Sequence, residues 1–271
     1  MGHSTFEEFR GDMNMLRPRI IPCLLLKNGG LVKTQKFGSP KYVGDPINAV
    51  KIFNEKEVDE LIVVDIDATI LNRDPNYTLI KNLAAECRMP FCYGGGIKSV
   101  EQVDQIISLG VEKVAMSSAV VSDPEIVAKA AEVVGGQSVV VVMDVKKSRF
   151  RSKYELWTHN ASKSTGLCPI EFARKVEKLG AGEVVVNAVD RDGVMKGYDI
   201  DLVRKIRDAI SLPMTVLGGA GSLQDISAMI DSFGIIGAAA GSLFVFKGVY
   251  RAVLISYPSR IEKDALIMQV R

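Results

Sequence analysis

Two glycine-rich phrases, Gly94-Gly95-Gly96-Ile97 and Gly218-Gly219-Ala220-Gly221, each follow a short apolar run and precede a helical pattern. Residues without side chains let backbone N–H groups close on a phosphate, and the helix that follows points its positive end at the same place. Each phrase is joined one strand later by a small polar pair, Ser117-Ser118 in the first case and Gly241-Ser242 in the second. A single glycine turn can be no more than a tight chain reversal. Two at matching spacing imply two phosphate cups and an elongated, doubly phosphorylated ligand.

A second chemistry is acidic. Asp144 ends the apolar run Ser138-Val139-Val140-Val141-Val142-Met143, and a carboxylate at such a strand end suits general acid–base work. Asp65 and Asp67 lie two apart, as do Asp190 and Asp192, so each pair shares one side of its strand. Holding loops is the alternative role for these four, and Asp192-Gly193 is also a turn signal. Arg19, Glu60, Lys113 and Glu183 stand at the opposite, N-terminal ends of their strands. In a closed barrel they converge on the axis, either as a solvated rim or as a ring of ion pairs across a pore. Metal chemistry is not expected, because the two histidines, His3 and His159, have no ligand spacing. His159 reads as an exposed loop residue in Trp157-Thr158-His159-Asn160.

These residues need a scaffold that aims strand ends at one place. Eight short runs are read as strands: Ile20 to Leu26, Leu61 to Ile66, Phe91 to Tyr93, Lys113 to Met116, Val139 to Asp144, Val184 to Val189, Met214 to Leu217 and Ile235 to Ala239. Amphipathic helical stretches alternate with them, three of which begin at Asp45-Pro46, Asp123-Pro124 and Ser222, where a capping side chain is in place. Glu60 recurs as Glu183, Asp67 as Asp190, Gly94-Gly95 as Gly218-Gly219 and Ser118 as Ser242, at offsets of 123 or 124. The expectation is an α/β fold, a (β/α)8 TIM barrel built from two half-barrel repeats, in preference to an open doubly wound sheet. The barrel is placed at 16–258, with 1–15 an N-terminal extension and 259–271 a C-terminal tail.

Composition excludes other classes. Among 271 residues, 34 Lys and Arg balance 32 Asp and Glu, so no basic field calls for nucleic acid or an anionic membrane. No apolar run is long enough for a membrane span. Cys23, Cys87, Cys92 and Cys168 show no CxxC spacing, and three lie in or beside apolar runs, as buried free thiols of a cytoplasmic protein do.

From about Leu16 to Tyr250 the chain resembles the cyclase subunit family of imidazole glycerol phosphate synthase. The phrases that carry the likeness are Arg19-Ile20-Ile21-Pro22-Cys23-Leu24, Gly44-Asp45-Pro46, Asp59-Glu60-Leu61, the two glycine phrases, Glu112-Lys113-Val114, Gly180-Ala181-Gly182-Glu183, Asp190-Arg191-Asp192-Gly193 and Gly197-Tyr198-Asp199. The resemblance implies a half-barrel-repeat enzyme of histidine biosynthesis that needs no cofactor. A glutaminase partner would dock at the N-terminal face and send ammonia up the axis, with Arg19, Glu60, Lys113 and Glu183 as the gate. Phosphate contacts carry over to Gly96, Ser117, Asp192, Gly193, Gly219, Gly241 and Ser242, although the family usually has Asn where Ser117 stands.

The family places an essential aspartate on strand one, paired with that of strand five. Here Leu25 holds its position, and Asn187 stands where Thr is favoured. Only Asp144 remains of the catalytic pair. This combination resembles diverged paralogues that pass ammonia toward amidation or amidination of a surface-polysaccharide sugar. The histidine-pathway cyclase itself, and a non-catalytic barrel that activates the glutaminase, are the alternatives.

Overall fold

Short, mostly apolar runs become eight parallel strands in the computed structural model, which describes residues 17–148 and 153–268. They are β1 (Arg19–Lys27), β2 (Leu61–Asp65), β3 (Phe91–Gly94), β4 (Lys113–Met116), β5 (Val139–Lys147), β6 (Glu183–Ala188), β7 (Met214–Leu217) and β8 (Gly237–Ala240). Each pairs with its sequence neighbours, β8 pairs with β1, and the sheet closes on itself as a (β/α)8 barrel. All eight runs expected from the sequence are therefore strands, with shifted ends. Strand eight starts later than expected, and Ile235 stays half exposed in front of it.

The helices are α1 (Pro46–Glu55), α2 (Tyr77–Glu86), α3 (Val100–Ser108), α4 (Ile126–Val134), α5 (Pro169–Lys178), α6 (Ile200–Arg207), α7 (Leu223–Phe233) and α8 (Arg260–Met268). Asp45 accepts from the Asn48 N–H, and Ser222 with Asp225 makes a reciprocal capping box. Asp123 does not cap α4 directly. It accepts from Glu125 N–H in a turn, and the helix begins at Ile126. The stretch expected as a tail carries α8, whose Lys263 Nζ lies 2.7 Å from Asp59 Oδ1. The expected extension 1–15 lies outside the described residues.

A strand alternates its faces, so each barrel strand supplies two cores. In β6, Val184 and Val186 pack among the helices, while Glu183, Val185 and Asn187 face the lumen. In β1 the lumen column is Arg19, Ile21, Cys23 and Leu25, and in β5 it is Val140, Val142 and Asp144. Charge thus sits at the bottom, aliphatic packing in the middle and the site at the top.

Two hairpins were not among the expected elements. The end of β1 turns at Asn28-Gly29 into Gly30–Gln35, which pairs with Gly38–Gly44. Both turn residues have positive φ, 49° and 77°, as a two-residue primed turn requires. The end of β5 pairs with Tyr154–Thr158, opposing Asp144 to Trp157. Strands one and five are equivalent in the half-barrel repeat, and each carries such a hairpin over the mouth. The first leans on the loop after β6 through Thr34 and Asp192, the second on the loop after β2 through Asn160 and the Ile66 carbonyl.

Candidate functional site

A cavity of about 460 Å³ opens at the C-terminal ends of the strands. Both glycine phrases line it, with Ser117 and Ser118 beyond the first and Gly241 and Ser242 beyond the second. All seven residues expected to contact phosphate reach this cavity. Gly219 has a steric reason of its own: at φ 120° a Cβ would strike the Gly197 backbone.

Parallel register sets Asn187 of β6 directly beside Asp144 of β5, and Asn187 Nδ2 donates to Asp144 Oδ1 at 2.9 Å. Burial pushes the Asp144 carboxyl up to about 7, against the Asn187 hydrogen bond that holds it down and with the Asp192 charge that raises it further. Asn187 Oδ1 is buried and has no hydrogen-bond partner among the described residues. Leu25, Val64, Val142 and Leu217 make an apolar collar in the same mouth, packed on the lumen residues below. Leucine at position 25 therefore places an apolar side chain, and no carboxylate, at the strand-one position of the mouth, whose lining acids include Asp65, Asp144 and Asp192.

The other aspartates hold loops. Asp65 Oδ1 accepts from the N–H groups of Asp67 and Ala68 at 3.0 and 3.1 Å. Asp67 lies between Lys27 and Arg73 at 3.7 and 3.9 Å, and Asp190 accepts from Lys147 N–H. Asp192 accepts from Thr34 Oγ1 at 2.9 Å and from Phe37 N–H at 3.3 Å. Its carboxylate pins the first hairpin, so any help to a phosphate from this residue is indirect.

Two residues gain significance from the structure. Lys33, on the first hairpin, is 6% exposed, and its Nζ donates to the Cys23 carbonyl within the mouth. Burial lowers its pKa, opposed by the nearby Cys23 and Asp192 charges. The Asn-Gly turn was the signal that could have placed it. His159 is half-buried and lines the cavity, with Nδ1 3.0 Å from Thr158 Oγ1, which corrects the expectation of an exposed loop residue. The left-handed turn at 159–161 folds it inward.

At the other end of the axis the four expected charges meet. Lys113 Nζ lies 2.9 Å from Glu60 Oε1 and 2.8 Å from Glu183 Oε2. Arg19 pairs with Glu60, and its Nη2 lies 2.7 Å from Glu183 Oε1. Thr215 of β7, which sequence reasoning missed, donates to Glu183 Oε1 at 2.5 Å. Burial alone would raise the Glu183 pKa, but Arg19 and Lys113 outweigh it and hold the group at about 2. The spacing left a solvated rim or a closed ring open, and the geometry is a closed ring. Among the described residues no cluster of His, Cys, Asp and Glu could hold a metal, and no helix is long and apolar enough to cross a membrane.

Comparison with known proteins agrees with this architecture. The profile of the family described as "Histidine biosynthesis protein" matches residues 19–251. A Vibrio vulnificus (strain YJ016) protein named "Putative imidazole glycerol phosphate synthase subunit hisF3" is 57% identical over 92% of this chain and 96% of its own length. A Petrotoga mobilis protein named "Imidazole glycerol phosphate synthase subunit HisF" is 40% identical over 88% of this chain and 94% of its own. The chain belongs to the histidine-biosynthesis family of barrels, alongside proteins named as HisF subunits of imidazole glycerol phosphate synthase.

Proposed function

We propose that the protein is the ammonia-using barrel subunit of a glutamine-dependent synthase. A glutaminase partner docks at the N-terminal face, and ammonia passes the ring of Arg19, Glu60, Lys113 and Glu183 into the lumen. A doubly phosphorylated substrate spans the mouth, with one phosphate at Gly96 and Ser117 and the other at Gly193, Gly219, Gly241 and Ser242. The observation that carries this reading is the axis itself. An ionic ring, an aliphatic lumen and the Asp144 carboxyl lie in that order along it.

Asp144, with a pKa near neutrality, takes a proton from the ammonia nitrogen as it bonds to an electrophilic carbon. It then returns that proton to the departing oxygen. One group can run this shuttle because its pKa lies near the operating pH. The histidine-pathway reaction combines lysis with ring closure and draws on two carboxylates in the family. Proton transfer by one such group is worth about 10²–10⁴-fold, so Leu25 argues for a simpler acceptor reaction, such as amidation or amidination of a polysaccharide sugar.

A second reading, the histidine-pathway cyclase itself, is favoured by the relatives' names, which carry that synthase and not a sugar-modifying enzyme. Complementation of a bacterial histidine auxotroph lacking its cyclase subunit decides between them. Failure by the natural chain together with rescue by Leu25→Asp supports the simpler acceptor, and robust growth with the natural chain establishes the cyclase. A barrel that only activates its partner predicts that Asp144→Asn leaves transfer of glutamine nitrogen into product unchanged.

A further inference from the structure

Beyond β8 the chain passes through Ser242–Val245 into a short hairpin, Phe246–Lys247 against Ala252–Val253. The tip, Val249 and Tyr250, is fully in solvent, but the base turns back onto Ser242, a residue of the mouth. There Arg251 Nη2 donates to Ser242 Oγ at 3.3 Å, and the guanidinium lies over the Phe246 ring, 4.7 Å from its centroid. Its Nε is buried and has no acceptor among the described residues. The residue is held at φ 49°, and its carbonyl accepts from Lys41 Nζ at 3.0 Å, while Lys41 faces the same ring at 5.1 Å. On the other flank, a Cβ on Gly241 would run into Lys33 Nζ.

Arg251 and Lys33 thus flank Ser242 and Gly241, with Lys41 behind Arg251, and none of the three forms an ion pair among the described residues. A neutral hydroxyl is a weak partner for a guanidinium, and a buried N–H without an acceptor carries its full desolvation penalty. Both deficits vanish if an oxyanion enters, since the planar fork of arginine matches two oxygens of a phosphate. Stacking on Phe246 fixes the plane of the fork before anything binds.

We propose that Arg251 is an anion clamp of the strand-eight cup, and that it takes a terminal phosphomonoester, whose dianion answers the local excess of positive charge. Nη2 passes from Ser242 Oγ to a phosphate oxygen, which frees the hydroxyl to donate to a second one. This inference rests on the two-cup reading of the mouth and adds a residue to one cup.

Inorganic phosphate is the probe. It is titrated calorimetrically into the natural chain, Arg251→Gln and Arg251→Lys, and soaked into crystals of each to locate the ions. The natural chain is expected to take phosphate in both cups. Arg251→Gln weakens the site at Ser242 at least tenfold and leaves the one at Gly96 and Ser117 unchanged, and Arg251→Lys falls between. Equal affinity at Ser242 in natural chain and Arg251→Gln overturns the clamp and leaves the two-cup reading standing. Phosphate at Ser242 with Arg251 turned away overturns it as well. Absence of phosphate from both cups of the natural chain removes the reading and the clamp together. The melting temperature without phosphate shows that the variants fold, and its rise with phosphate is a second measure of the same affinities.

Discussion

Asp144 holds a proton near neutrality that the unfolded chain would release at its ordinary value of 3.8. Between these values the folded state binds more protons, so stability falls as pH rises, by up to about 1.4 kcal/mol per pH unit. Asp144→Asn is expected to remove this decline, which denaturant titrations at pH 4.5, 5.5, 6.5 and 7.5 would register. Glu183 acts in the opposite sense. Its pKa is depressed to about 2, so its contribution is complete above the ordinary value of 4.5 and is lost only as pH falls toward 2. At Leu25 the expected outcome is gain of chemistry at the expense of packing. Leu25→Asp sets a carboxylate among Val64, Val142 and Leu217, a burial that costs about 1–3 kcal/mol. It is expected to raise cyclase turnover by about 10²-fold or more, in line with the share of a second proton-transfer group. Such residues differ in how far the chain alone reveals them. Asp144 stands out because an acid ends a run of valines. The pairing of Asn187 with Asp144 depends on interstrand register, which no local pattern records.

At the scale of elements, the two hairpins help to line the mouth, through Lys33, Thr34 and Phe37 of the first and His159 and Asn160 beyond the second. Gly193 has φ 65°, and a Cβ there would collide with the Thr34 carbonyl of the first hairpin. Gly193→Ala therefore faces both a left-handed backbone and a contact that must give way, together worth about 1–3 kcal/mol. Because the clash falls between hairpin and loop, faster amide exchange is expected across residues 30–44, with the barrel strands unaffected. A uniform loss of protection would mean that the hairpin is not separable from the barrel. The eight barrel strands were legible because strands buried on both faces are nearly continuous apolar runs. The hairpins were not, since Gly30–Gln35 and Tyr154–Thr158 mix lysine, glutamate and threonine with few aliphatic residues. Their mark was the turn at Asn28-Gly29, and for the second one only the antiparallel partner at the end of β5.

Over the whole molecule, 34 basic and 32 acidic residues nearly cancel, yet charge is placed with strict economy along the axis. The ring below is two cations against two carboxylates, each shared between neighbours. Lys113→Met removes a cation that serves both Glu60 and Glu183, which are 3% and 4% exposed. Two buried carboxylates then share Arg19 alone. Breaking a buried pair costs about 3–5 kcal/mol, and the part-exposed lysine reduces this toward about 2–3 kcal/mol. On the proposed reading, in which a glutaminase docks below the ring, the same change opens one side of it, so ammonia released there escapes and ammonium from solution enters. The ratio of glutamine-driven to ammonium-driven turnover is therefore expected to fall at least fivefold in Lys113→Met. Lys113→Arg, which keeps the charge and both carboxylate partners within reach, is expected to hold the ratio within about twofold. If both variants keep the natural ratio while losing stability, the ring is a structural plug and ammonia reaches Asp144 by another route.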